Sequence, residues 1–239
     1  MTPDALTTLI DATWPAASFE DVGPWTIRDG KGGGSRVSAA TARNDEAITD
    51  IGSAERAMTA RGQTPLYMVR SGEDALDAAL AARDYDIKDP VVVYSAPVAT
   101  LAHNRPPPVT TFEVWPQLAC QEEIWATGGI DTPRLEVMAR ASAPKTTILG
   151  RLDDTPAGTL FAAVHNNICM LHAIETAHRF RRRGLARHMM TASAFWAQSQ
   201  GAEIVALLVT RANDGANRLY ASMGMQAVEG YHYRIKTTR

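Results

Sequence analysis

Apolar residues recur at helical spacing over Pro3–Thr13, where Leu6, Leu9 and Ile10 share one face. Trp25–Arg28 and Arg36–Ala40 read as two strands joined by residues Asp29–Ser35. That join holds Gly30, Gly32, Gly33 and Gly34, but it lacks the Lys-Ser/Thr of a phosphate loop and precedes a strand, so it reads as a flexible hairpin connection. Asn44 is the expected N-cap of a helix reaching about Arg61, with Ile48, Ile51, Ala54 and Met58 on its apolar face and Gly62 ending it. Pro65–Arg70 predicts a strand, Glu73–Arg83 a helix, and the β-branched run Pro90–Ser95 a buried strand. This order is that of an α/β layer with enough apolar material for a core of its own.

His103–Pro108 carries three consecutive prolines and can continue neither a helix nor an inner strand. It predicts a boundary between an N-terminal lobe, 1–102, and a second domain, 103–239. In the second part Val109–Val114 reads as a strand, Pro116–Thr127 as a helix stopped by Gly128-Gly129, and Thr132-Pro133 as the N-cap and first residue of another helix. Lys145–Leu152, Gly158–His165 and Ile168–Thr176 form a predicted meander, with turns at Asp153–Pro156 and Asn166-Asn167. An Arg-Gly turn leads into a helix over Leu185–Gln200. A strand at Ala202–Thr210, a short helix at Asp214–Ser222 and strand material at Ala227–Lys236 complete the chain.

Composition narrows this picture only modestly. The 239 residues are 45% hydrophobic and carry a formal charge of -2, which gives no general attraction to nucleic acid. No apolar run is long enough to span a membrane, and Met1–Asp4 does not open a secretory signal, so a cytoplasmic protein with no membrane partner is expected. Two cysteines, Cys120 and Cys169, make no disulfide framework, and no His/Cys spacing suggests a metal. The cluster Arg179, Arg181, Arg182, Arg183 and Arg187 is local and lacks stacking aromatics, so no nucleic-acid partner is expected.

Candidate chemistry begins at Arg181-Arg182-Arg183-Gly184-Leu185-Ala186. A strand, a tight basic turn and a helix start point free backbone N–H groups at an anion, and the helix dipole favours negative charge there. Gly184 lets the backbone approach a ligand that a Cβ would hold off. A basic helix start on a solvated surface has the same composition, so this stretch alone leaves the ligand open.

Downstream lies Asn213-Asp214-Gly215-Ala216-Asn217-Arg218-Leu219-Tyr220-Ala221-Ser222-Met223-Gly224-Met225. With it, the second half, over about 109–236, resembles the GNAT superfamily of acetyl-CoA-dependent N-acyltransferases. The family's Q/R-x-x-G-x-G/A is matched by Arg181, Gly184 and Ala186. Its N-x-x-A-x-x-L-Y-x-x-x-G-F is matched by Asn213, Ala216, Leu219, Tyr220 and Gly224, with Met225 where Phe is common. Ala186 stands for the commoner Gly, and His178 for a frequent Pro. The first half has the strand and helix order of a second, degenerate lobe of this kind. Nothing in 36–44 matches the cofactor turn, so one cofactor site per chain is expected, in a monomer or homodimer.

The resemblance implies a mixed α/β fold, GNAT-like in the C-terminal half, with a smaller α/β N-terminal lobe. It implies acetyl-CoA as cosubstrate, no metal, and an amine of a small molecule, amino acid or peptide as acceptor, acetylated by direct attack in a ternary complex. Coenzyme A would lie between Leu171–Thr176 and Ile204–Val209. Its diphosphate would meet the N–H groups of Arg182, Arg183, Gly184, Leu185 and Ala186, with charge from Arg181 and Arg187. Its pantetheine arm would pair with the backbone of Ile174 and Thr176, and Asn213 would contact the cofactor. A backbone N–H near Ile174 is the expected oxyanion donor, and Tyr220 the general acid. Glu175 and His172 are alternative general bases, placed on opposite faces by strand alternation. His232 either lines the acceptor pocket or belongs to an exposed aromatic strand. A CoA- or acyl-CoA-binding regulatory module without turnover is the alternative from another functional class.

Overall fold

The computed structural model describes residues 1–142 and 144–236; the expected end of the second domain at 239 lies outside them. The elements in chain order are α1 (Pro3–Thr13), β1 (Ser18–Val22), β2 (Trp25–Asp29), β3 (Thr41–Ala42), α2 (Ile51–Ala60), β4 (Leu66–Arg70), α3 (Asp74–Ala81), β5 (Tyr85–Pro97) and the one-turn α4 (Val98–Leu101). They continue with β6 (Thr111–Val114), α5 (Ala119–Thr127), α6 (Thr132–Arg140), β7 (Lys145–Leu152), β8 (Thr155–His165), β9 (Ile168–Thr176), α7 (Leu185–Ser199), β10 (Ile204–Thr210), α8 (Asp214–Ser222) and β11 (Gln226–Lys236).

One eight-stranded sheet, ordered β4-β11-β5-β10-β9-β8-β7-β6, organises the molecule, and β1-β2-β3 form a small sheet beside it. Among the described residues of the large sheet, only β9 and β10 run parallel; the other pairs are antiparallel. Asp153-Asp154 and Asn166-Asn167, all with positive φ, make the tight two-residue turns of the β7-β8-β9 meander. Strands from both sides of residue 103 share the sheet, since β5 lies between β10 and β11. The first half also encloses its own apolar cluster around Trp25, Ile51, Met58 and Tyr67.

The faces of β8 sort the layers. Leu160 and Ala162 join α7 on one side, while Phe161 and Ala163 join Trp125 of α5, Val137 of α6 and Trp14 on the other. Gly150 and Gly158 let α7 sit close, because a Cβ on either would come within 3.0 Å of Met189. Among the described residues no helix is long and apolar enough to cross a membrane.

Three expectations for the first half need correction. Residues 36–40 are not a strand: a 3-10 turn spans Ser35–Val37, and Ala40 makes only an isolated bridge to Tyr67. The glycine segment folds onto this turn so tightly that a Cβ on Gly30 would lie 2.4 Å from Ser38 Oγ. The helix read from Asn44 is broken. Asn44 caps a 3-10 turn over Asp45–Ile48, and α2 starts only at Ile51, after Asp50 takes a non-helical φ of -117° and ψ of 43° with its carbonyl accepting from the indole of Trp25 at 2.8 Å. β5 begins at Tyr85, five residues before Pro90, because the β11 ladder shifts register between Tyr231 and Tyr233 and so asks no N–H of the proline. β1, four-fifths exposed polar or aromatic positions with no apolar alternation, gave no sequence signal. The N-cap of α6 is Asp131, with Thr132 as its first residue.

Polar ties fasten the first half. Arg28, 2% exposed, grips Asp11 of α1 through two bonds of 2.8 and 2.6 Å and also donates to Ala39 O and Thr41 Oγ1. Arg28→Ala should lower unfolding free energy by about 3 kcal/mol, as expected when one partner of a buried ion pair is removed; urea denaturation checks this. Asp77 accepts from Arg234 and His232, and these contacts, Arg234 first, hold its carboxyl down at about 2. A depressed carboxyl stabilises the fold above its unfolded value near pH 4 and loses that contribution as pH falls through about 2. The pH dependence of the melting temperature over that window should therefore flatten in Asp77→Asn.

Candidate functional site

The parallel ladder between β9 and β10 ends at the pair Leu171↔Leu207. Beyond it the strands part, and the gap is a cleft of about 720 Å3. Ile174, Glu175 and Thr176 form one wall, Arg181, Arg182, Gly184, Leu185, Ala186 and Arg187 the base, and Asn213 and Tyr220 the opposite side. Eleven of the fourteen residues named for the site are thus gathered here; Arg183, His172 and His232 are not among those lining the cleft.

The base is built by backbone conformation. After a 3-10 turn at His178–Phe180, Arg182 and Gly184 take left-handed φ of 65° and 85°. No protein atom lies within 4 Å of a Cβ added at Gly184, so inside the protein its glycine is required by φ and not by crowding. The turn delivers the chain into the 15-residue α7, whose N-terminus has no side-chain cap and no acid in its first turn. An uncapped helix start facing a cleft offers backbone N–H donors and the positive end of the dipole to an anion.

The arginines are largely engaged elsewhere. Arg181 donates to Thr176 O and to Glu175 Oε1, both at 3.0 Å. Arg183 turns outward to a two-bond pair with Asp153, and Arg187 donates to Ser222 Oγ at 2.7 Å.

Asn213 Oδ1 accepts from Ala216 N and so caps α8, which carries Tyr220. Tyr220 is 6% exposed and packs edge-on against Tyr94 at 5.5 Å. Burial, then the neighbouring Tyr94, pushes its phenol up to about 12. It stays protonated, and a buried phenol on a cleft wall can donate a proton to a forming anion.

Strand alternation fails on β9. Phe161 pairs with His172 and Thr159 with Glu175, so two residues, Ala173 and Ile174, stand opposite Leu160 alone. The bulge puts His172 and Glu175 on the same face, the α5 side, and sends Ile174 to the α7 side. Glu175 lies against Gly128, and its Oε1 also accepts from Thr176 N. His172 does not reach the cleft. It is buried between Arg36, which approaches Nδ1 at 3.1 Å, and Thr13, at 3.0 Å from Nε2, and it stacks on Trp14. Burial and the Arg36 charge hold it well below its ordinary pKa. His232 is likewise absent from the cleft, 2.6 Å from Asp77. Phe180, Arg218 and Ser222 line the cleft without having been singled out; the i, i+4 spacing of Arg218 and Ser222 on α8 was the available signal.

Comparison with known proteins agrees with this geometry. Residues 110–225 match the sequence model of the acetyltransferase (GNAT) family. No curated protein matches the chain in sequence. Among solved structures, a GCN5-related N-acetyltransferase from Kribbella flavida is 18% identical, with a TM-score of 0.72 over 98% of this chain and 95% of that one. A functionally unknown conserved protein from Staphylococcus epidermidis is 10% identical, with a TM-score of 0.73 over 95% and 97%. A tandem GNAT protein from the clavulanic acid biosynthesis pathway is 14% identical, with a TM-score of 0.56 over 84% and 76%. These identities carry the fold alone. The motif residues gathered around one cleft all lie within residues 110–225, the stretch that matches the acetyltransferase (GNAT) family.

Proposed function

We propose that the protein transfers an acetyl group from acetyl-CoA to the amine of a small molecule, amino acid or peptide, by direct attack within a ternary complex. The observation that carries this reading is the uncapped start of α7, opening through two left-handed residues into the same cleft that Tyr220 lines. The residues present fit coenzyme A: main-chain N–H groups from Arg182 to Ala186 suit a diphosphate, and the open edge of β9 suits the amide-bearing pantetheine arm. Bound there, acetyl-CoA supplies a thioester.

The chain's own residues then divide the work. The N–H of Ile174 donates to the carbonyl oxygen as negative charge develops on it. Glu175 takes the proton of the attacking amine, directly or through water, after exchanging its contact with Arg181. Tyr220 gives its proton to the departing sulfur. Asn213 fixes the start of α8 and with it the position of Tyr220. Arg181 and Arg187 reach the phosphates only by leaving Thr176 and Ser222, so the backbone N–H groups provide most of the anion recognition.

Thiol release from acetyl-CoA across an amine library tests the whole reading. Acetyl-CoA binding without turnover on any amine would leave a cofactor-binding module instead. Tyr220→Phe should lower kcat by about 100-fold with acetyl-CoA affinity unchanged. Because the phenol is protonated up to about 12, the wild-type rate should show no alkaline loss from this group below about pH 10. Gly184→Ala meets no protein atom yet forces a side chain onto a φ of 85°. It should weaken coenzyme A binding by about tenfold or more by calorimetry, a strain of order 1–2 kcal/mol at the turn, and retained affinity would count against the backbone cradle.

A further inference from the structure

The bulge in β9 is held from outside the strand. Ala173 absorbs the extra residue with a left-handed φ of 51°, a conformation that its Cβ disfavours. Its carbonyl accepts a 2.8 Å hydrogen bond from the indole Nε1–H of Trp125. Trp125 is 0% exposed, on α5, packed in the cluster that covers the opposite face of the sheet from α7.

The Ala173 carbonyl and the Ile174 N–H belong to one peptide group. That group is planar and trans, so its oxygen and its hydrogen point in opposite directions. A carbonyl anchored toward α5 aims the Ile174 N–H the other way, to the side on which Ile174 lines the cleft. Ile174 lies beyond the last β9–β10 pair and in the register gap of the β8 ladder, so neither neighbour is matched to it. Hydrogen bonding at the oxygen of a peptide also polarises its N–H and strengthens it as a donor.

We propose that Trp125 is a positioning residue for acyl transfer: through the Ala173 carbonyl, its indole N–H orients and polarises the Ile174 N–H that meets the developing oxyanion. This rests on the acyl-transfer reading above. Trp125 touches neither thioester nor amine. Its effect belongs to the transition state, where the oxyanion forms, and not to the binding of coenzyme A at the far end of the cleft.

The test is steady-state thiol release by wild type, Trp125→Phe and Trp125→Phe/Ala173→Gly, with acetyl-CoA affinity measured by calorimetry. Trp125→Phe keeps a buried ring and deletes the donor. Its kcat should fall at least about tenfold, about 1.4 kcal/mol of barrier, with KM and Kd for acetyl-CoA unchanged. Adding Ala173→Gly should recover part of kcat, because glycine adopts the left-handed φ without the donor's help. Should the Phe variant not fold, benzothienylalanine at position 125, which replaces N–H by sulfur in a ring of the same shape, should give the same kcat loss. Full turnover in an N–H-deleted variant, or parallel loss of affinity and turnover, overturns the assignment. The two readings fail separately: a wild type inert on every amine sinks acyl transfer, and this inference with it. An active wild type with an equally active Trp125→Phe sinks this inference alone.

Discussion

β9 stays paired to β8 on both sides of its bulge but leaves β10 after Leu171, and the rest of the site depends on that divergence. An open strand edge inside a protein is costly unless something satisfies its backbone. Here the chain does so with its own side chains: Glu175 accepts from the N–H of Thr176, and Arg181 donates to its carbonyl. The backbone groups of Thr176 are thus kept satisfied by partners that are also paired with each other. An occupant that paired with Thr176 would therefore exchange hydrogen bonds there instead of adding them.

The divergence holds because both faces of the sheet are pinned around it. On one side Gly150 and Gly158 let α7 settle onto the meander, which brings its N-terminus to the mouth of the gap. On the other side α1 and α5 cover the bulge. α1 comes from the first half, and its Thr13 contacts His172, whose other ring nitrogen meets the buried Arg36. β5, also from the first half, pairs with β10 from Ile204 to Thr210 on the edge away from β9 and so holds β10 in place where β9 turns away. The N-terminal half therefore contributes to the frame of the cleft without contributing a residue to its lining.

Five arginines crowd one stretch of sequence, yet three of them are paired within the protein. Arg183 is spent on Asp153, Arg181 on the strand edge, and Arg187 on Ser222. What remains constant is the left-handed turn and the bare helix start behind it, which cannot rotate away as side chains do. The buried phenol of Tyr220 is similarly fixed, by Tyr94 beside it and the Asn213 cap beneath its helix.

The elements of the second half were legible because each has a local cause: the two-residue Asp and Asn turns, the glycine before α7, the Asn213 cap, and helical or strand periods long enough to read. Asp214–Ser222 falls where its cap and period place it. The motif spacing likewise named the cleft residues, since a turn and a capped helix are built from near neighbours in sequence. What tertiary structure alone decided is of another kind. No local signal marks the bulge at Ala173, because its conformation is stabilised by an indole 48 residues away, and that one inserted residue reversed the faces of Ile174 and Glu175. Asp50 is non-helical where its carbonyl meets a tryptophan in β2. β5 runs through Pro90 because its partner strand bulges. In each case the residue's own preference was overridden by a hydrogen-bond or packing partner brought near only when the sheet assembled. Amino-acid order specified the parts and the residues that line the cleft, and long-range contacts specified which way those residues point.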